Sequence, residues 1–167
     1  IPYHVPKAPL VSLIEISACC NNKCNGCSNV FQKTYSFMSV NKFRRVLSRL
    51  KKDVFDIRLT GGEPTLNPDL FKIVDLLESE KIEYCILSNG RWRKKEQLIS
   101  FLKQKKYFTG FLVSLHGSTK EIHESFTRVK GSFSETLDNI KYAINNGIYI
   151  STNAVLLKNN YLDVERL

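Results

Sequence analysis

The stretch VFDIRLTGGEPTLNPDLFKIVDLL, residues 54–77, contains a complete strand–turn–helix unit. Val54–Thr60 is an apolar run of strand length, and Gly61-Gly-Glu-Pro64 breaks it. Asn67 is placed to cap a helix and Pro68 to occupy its first position, with Leu70, Ile73, Val74 and Leu77 along one face.

Outward from this unit the same order repeats. Upstream, Val11–Ser17 reads as a strand, and Val40, Phe43, Val46, Leu47 and Leu50 recur at helical spacing behind Ser39, a capping residue. Downstream, Glu83–Ser88 is a third strand, followed by a basic helix carrying Leu98, Ile99 and Leu102. Phe111–Leu115 is a fourth strand. Two capping-box patterns follow, Ser118 with Glu121 and Ser132 with Glu135. The second opens a helix through Leu137, Ile140 and Ile144 that stops at Gly147. Ile148–Val155 is a fifth strand, and Tyr161–Leu167 begins a further helix. Alternating strands and helices fold into a parallel α/β sheet with helices packed outside. Whether that sheet curves towards a barrel or lies flat, its functional loops gather at the carboxyl ends of the strands.

Polar groups do collect there. The first strand runs into Cys19 and Cys20, the second into Gly61, Gly62, Glu63 and Pro64, and the third into Ser88-Asn-Gly90. The fourth carries Ser114 and ends in His116-Gly117, and the fifth holds Ser151, Thr152 and Asn153. Turn chemistry accounts for any one of these, but not easily for all five on one rim.

The 167 residues suit one domain, and a first residue Ile1 with an end at Leu167 inside a helix reads as an excerpt of a longer chain. Neither a signal peptide nor a bilayer-spanning run is visible. The net charge of +9 favours anionic partners in a general way. Trp92 among Arg91, Arg93, Lys94 and Lys95 has the composition of a base-stacking site, although a solvated basic helix is the plainer reading.

Five cysteines form no even disulfide set, and four of them crowd into residues 19–27, which points to metal or redox chemistry in a reducing compartment. Cys85 sits in an apolar run and reads as a small buried hydrophobe. Cys20, Cys24 and Cys27 form a C-x3-C-x2-C run suited to zinc or an iron–sulfur cluster. Either normally takes four protein ligands. Three therefore imply a missing partner or one metal position left open.

C-x3-C-x2-C after the first strand, with Gly61-Gly-Glu-Pro64 after the second, resembles the radical S-adenosylmethionine (SAM) superfamily over essentially the whole chain. The resemblance implies a partial (β/α) barrel, here stopping before a sixth strand. It also implies a [4Fe–4S] cluster on Cys20, Cys24 and Cys27, with SAM chelating the fourth iron. An electron from the cluster would cleave SAM to a 5′-deoxyadenosyl radical that abstracts a substrate hydrogen. By the same resemblance Gly61, Gly62, Glu63 and Pro64 meet the SAM amino group, and Ser88 and Asn89 the methionine moiety. Ser114 contacts the ribose, Arg128 the SAM carboxylate, and Asn153 the ribose or adenine. The family's aromatic residue before the third cysteine is Gly26 here, with Val30 or Phe31 as substitutes.

His116 is a candidate substrate contact or proton donor, whereas His123 reads as a surface residue on a short helix. Glu15 shares a face with Leu13 and Ser17, and Arg58 is a strand charge that needs a partner. The resemblance extends to the branch of peptide and sulfatase maturases and haem- or molybdenum-cofactor synthesis proteins. It implies a cytoplasmic enzyme, reduced by flavodoxin or ferredoxin, acting on a peptide, a protein or a small molecule. RNA modification is the alternative within the enzyme class, and a non-catalytic zinc module using Cys19 as well is the alternative outside it.

Overall fold

The computed structural model describes residues 11–27, 36–50, 54, 56–158 and 160–166. Among these, strands β1 (Val11–Ser17), β2 (Asp56–Gly61), β3 (Glu83–Ser88), β4 (Phe108–Ser114) and β5 (Ile150–Asn153) form one sheet in chain order. Every neighbouring pair is parallel. Parallel neighbours need a crossover. Helices α1 (Val40–Leu47), α2 (Leu70–Glu80) and α3 (Lys95–Leu102) supply the first three, and α4 (Lys120–Thr127) with α5 (Ser132–Asn145) the fourth. β1 and β5 are the outermost strands of this sheet, which does not close into a barrel among the described residues, and Phe37 makes an antiparallel bridge to Ser17 along the outer side of β1.

The two-residue period of a strand decides what is buried. One row, Ile14, Leu59, Ile86, Phe111 and Ile150, crosses the whole sheet in register. Its first four members are at most 7% exposed, beneath Phe43, Ile73, Leu77, Ile99, Leu102 and Ala143 from the helices. Each such aliphatic side chain contributes roughly 1.5–3 kcal/mol by burial. The adjoining row, Leu13, Arg58 and Cys85, lies on the opposite face. Leu13 is 62% exposed there, and Arg58 finds its partner in Asp56 at 3.0 Å. Cys85 is accordingly half-buried rather than a core residue, because Tyr84 and Ile86 take the core positions on either side of it. Glu15 is exposed on the same face as Leu13, whereas Ser17 is buried because the register shifts between Glu15 and Ser17.

Ser39 caps α1 as its sequence position predicts, accepting the Lys42 N–H. Elsewhere long-range partners override the local signals. Residues 64–66 form a 3₁₀ turn and α2 starts at Leu70 rather than Pro68. Asn67 does not cap it: its Oδ1 accepts the Asp69 N–H, and its Nδ2 donates to the carbonyls of Ile16 and Met38. Thr119 caps α4 instead of Ser118, whose N–H and hydroxyl are taken by the Asp163 carboxylate. Ser132 opens α5 without capping it, its hydroxyl lying 2.7 Å from that of Thr127. β5 is shorter than expected, because Ile148 enters the core and the Val155 N–H goes to His116. Residues 161–166 are 3₁₀ rather than α-helical.

Candidate active site

The segment after β1 is bound directly to the turn after β2. The Gly62 N–H donates to the Ser17 carbonyl at 2.7 Å, and the Glu63 N–H to that of Cys19 at 2.7 Å. Gly61 allows this closeness: a Cβ there, at φ +144°, would lie 2.1 Å from the Ser17 oxygen. Beyond Cys20 the loop docks on the carboxyl end of α4. Lys23 N–H donates to the Thr127 carbonyl at 3.0 Å and Asn25 N–H to that of Phe126 at 2.9 Å. Two donors already address the first thiol, the Asn22 N–H at 3.4 Å and the Asn89 amide at 3.7 Å from Cys20 Sγ.

Cys20, Cys24 and Cys27 line one cleft of about 280 Å³ at the carboxyl rim of the sheet. All three are free thiols, as are Cys19 and Cys85. Burial first, then the charges of Cys20 and Cys27, push the Cys24 thiol up to about 11. Burial likewise raises Cys20. Three soft sulfurs that repel one another as thiolates fit a cationic iron cluster, which supplies the missing positive charge. Cys19 is buried and does not line the cleft. Among the described residues no three His, Cys, Asp or Glu side chains are arranged to hold a single ion.

The cleft also brings together Gly61, Gly62, Ser88, Asn89, Ser114, His116 and Asn153, from the ends of all the other strands. Glu63, Pro64 and Arg128 stand outside it. Glu63 is fully buried, with Oε1 accepting from Thr65 N–H (3.1 Å), Thr65 Oγ1 (2.6 Å) and Ser88 Oγ (2.8 Å), and Oε2 from Asn89 N–H (2.7 Å). Burial pushes its carboxyl above the usual range while these donors pull it down. Its side chain is thus committed to the protein, and Pro64 begins the 3₁₀ turn behind it. Arg128 is exposed and ends α4 in a left-handed conformation, φ 56°. The Ser88 hydroxyl is itself fully engaged, donating to Glu63 and accepting from Gly90 N–H and Trp92 Nε1. The proposed aromatic substitutes, Val30 and Phe31, lie outside the described residues.

Both His116 and His123 face inward. His116 is 5% exposed and stacks on Phe126 at 3.8 Å, and its Nδ1 accepts the Val155 N–H. His123 is completely buried rather than superficial; its Nδ1 accepts the His116 N–H, and its Nε2 has no partner among the described residues. Burial holds each near 4, so both rings are neutral at physiological pH. With Nδ1 accepting, the hydrogen-bond network assigns the ring proton to Nε2 in each.

Two residues that the sequence placed on a solvated helix are structural here. α3 begins only at Lys95; Trp92 is 3% exposed, with its indole on Ser88 and its ring 4.5 Å from Phe111. It offers no face to a base. Arg91 turns towards the cysteine loop, a position no local pattern announces because its side-chain partners are 44, 69 and 70 residues away. A larger hollow of about 390 Å³ between α2 and α3 contains no thiol or histidine. Chemistry therefore picks the smaller cleft.

The family model for the radical SAM superfamily matches residues 14–167. The chain belongs to that superfamily. It is 28% identical over 120 residues to the antilisterial bacteriocin subtilosin biosynthesis protein AlbA of Bacillus subtilis, covering 71% of this chain and 27% of that one. It is 26% identical over 171 residues to the GTP 3',8-cyclase of Pasteurella multocida, covering 93% and 50%. The solved structure of Streptococcus suis SuiB bound to precursor peptide SuiA superposes with a TM-score of 0.82 at 24% identity, over 95% of this chain and 36% of that one. The fold is thus that of the open radical SAM barrel. The chain spans between about a quarter and a half of the length of these proteins.

Proposed function

We propose that this chain is the core of an enzyme in which Cys20, Cys24 and Cys27 hold a [4Fe–4S] cluster that binds SAM. One observation carries the reading: the three thiols share a single cleft with Gly61 and Gly62 and with polar groups from the remaining strand ends. When bound, the cluster supplies the electron that cleaves SAM to methionine and a 5′-deoxyadenosyl radical. The carbonyls around Gly61 and Gly62, with no side chain between them and the cleft, accept the SAM amino protons. Ser114 and Asn153, in register on β4 and β5, present hydrogen-bonding groups to the ribose. Asn89 fixes Cys20, and Glu63 with Ser88 fixes Asn89. Arg128 and Glu63 have no direct contact with SAM in this reading. His116, neutral and lining the cleft, offers its ring N–H to substrate as a hydrogen-bond donor.

The substrate class is a peptide or protein. The names of AlbA, a bacteriocin biosynthesis protein, and of SuiB, seen with a precursor peptide, support it. The likeness to a GTP cyclase favours a small-molecule substrate as the second reading. RNA modification keeps only the net charge of +9 as its motive, since Trp92 is buried. Five free thiols and a low-potential cluster call for a reducing cytoplasm and reduced flavodoxin or ferredoxin as donor. No helix among the described residues is long and apolar enough to cross a membrane.

Anaerobic reconstitution followed by dithionite reduction with SAM tests the proposal. Brown protein with about four irons that releases 5′-deoxyadenosine supports it. Colourless protein holding stoichiometric zinc overturns it.

A further inference from the structure

Among the unabsorbed features, the charged cluster behind the cysteine loop is the most completely determined. The Arg91 side chain is 14% exposed, and its donors point in two directions. Nε donates to Glu135 Oε2 at 2.7 Å, and Nη1 donates to the Asn21 carbonyl at 2.6 Å and to Asn22 Oδ1 at 2.8 Å. The loop answers: Asn21 Nδ2 donates to the Arg91 carbonyl at 3.0 Å, and Asn21 Oδ1 accepts Asn89 Nδ2 at 2.7 Å. That same Asn89 amide reaches Cys20 Sγ. The turn after β3, helix α5 and the start of the cysteine loop are therefore one hydrogen-bonded body.

We infer that Arg91, oriented by Glu135, is a positioning residue that presents Cys20 to the cluster. The inference rests on the reading of Cys20, Cys24 and Cys27 as cluster ligands. The planar guanidinium bridges Glu135 and two loop acceptors at once, which an ammonium cannot reproduce. A lysine at this position keeps the charge but not the fork.

Two readouts in Arg91→Met, Arg91→Lys and Glu135→Gln decide the matter, with Lys105→Met as control. Lys105 forms an ion pair of the same 2.7 Å length with Asp75 and does not line the cleft. In the metal-free protein, amide exchange at Lys23 and Asn25 should accelerate in Arg91→Met and stay unchanged in Lys105→Met. In reconstituted protein, Arg91→Met should lose iron to a chelator roughly ten- to a hundredfold faster. Arg91→Lys, which keeps the charge without the fork, should not recover the iron retention. Arg91→Met matching Lys105→Met in exchange and iron loss would overturn the inference. Should Arg91→Met fail to fold, Glu135→Gln decides: partial acceleration of iron loss supports the role, and native retention overturns it. Native protein that takes up no iron defeats the cluster assignment instead, and amide exchange in the metal-free protein still tests the loop-positioning role.

Discussion

Glu63 and Ser88 are joined by a 2.8 Å hydrogen bond that ties the turn after β2 to the end of β3, beneath the floor of the cleft. With Thr65 and Asn89 also donating, the carboxylate accepts from four groups at no exposure to water. Removing it strands four donors. Glu63→Ala should lower the unfolding free energy of the metal-free protein by about 3 kcal/mol or more, measured by urea denaturation. Glu63→Gln, which keeps one acceptor oxygen, should lose less. A Glu63→Ala protein of native stability would show that the carboxylate does not brace the floor.

Gly61 and Gly26 both have positive φ but different surroundings. A Cβ on Gly61 meets the Ser17 backbone, whereas one on Gly26 meets nothing within 4 Å. Gly61→Ala should cost more than about 3 kcal/mol and detach the cysteine loop. Gly26→Ala should cost about 1 kcal/mol, the backbone penalty alone. Equal melting temperatures for the two variants would contradict the packing described here.

The histidine pair sets an acid limit. Both rings have folded values near 4 against an ordinary 6.5, so below 6.5 the unfolded chain binds more protons than the folded one. Stability is then fully present above about pH 6.5 and is lost as pH falls towards 4, by about 3 kcal/mol for each ring. His123→Asn, whose side-chain oxygen can still accept the His116 N–H, should remove about half of that acid loss. A pH series of urea midpoints reads both effects.

The thiols act in the opposite sense. The Cys24 thiol, raised to about 11 from an ordinary 9.0, leaves the metal-free fold stable below pH 9 and weakens it as pH climbs through 11. Iron uptake should release protons and abolish this alkaline sensitivity. Far-UV circular dichroism from pH 8 to 11, with and without the cluster, measures it.

Cys24→Ala should abolish both the brown colour and SAM cleavage, and Cys85→Ala should spare the colour. Cys85 lies on β3 in register with Arg58 and does not line the cleft. Visible absorption after reconstitution distinguishes the two.

What the sequence made legible was local or periodic. The strands were readable from apolar runs, and the cysteine loop and Gly61-Gly62 from their place at strand ends. The remainder depends on partners far along the chain. Ser118 has a capping pattern, yet Asp163 claims it. His123 occupies a polar segment, yet α4 turns it inward. Arg91 sits in a basic run like its neighbours, and only folding brings Glu135 and Asn21 to it. Arg128 carries a family motif, but its left-handed backbone leaves the side chain in solvent.

The docking of the cysteine loop on α4 has a consequence for the protein's birth. Asn25 and Ser125, which it contacts, are 100 residues apart, and each strand in between pairs only with its neighbour in the chain. At about 5–20 residues per second, the thiols leave the ribosome several seconds before their resting place exists. During that interval the loop is held only from its Cys20 side, by the turns after β2 and β3, while the rest of the sheet assembles. Iron delivery therefore has its structural prerequisite only once α4 has emerged, and a nascent chain stalled before residue 125 should be unable to retain a cluster.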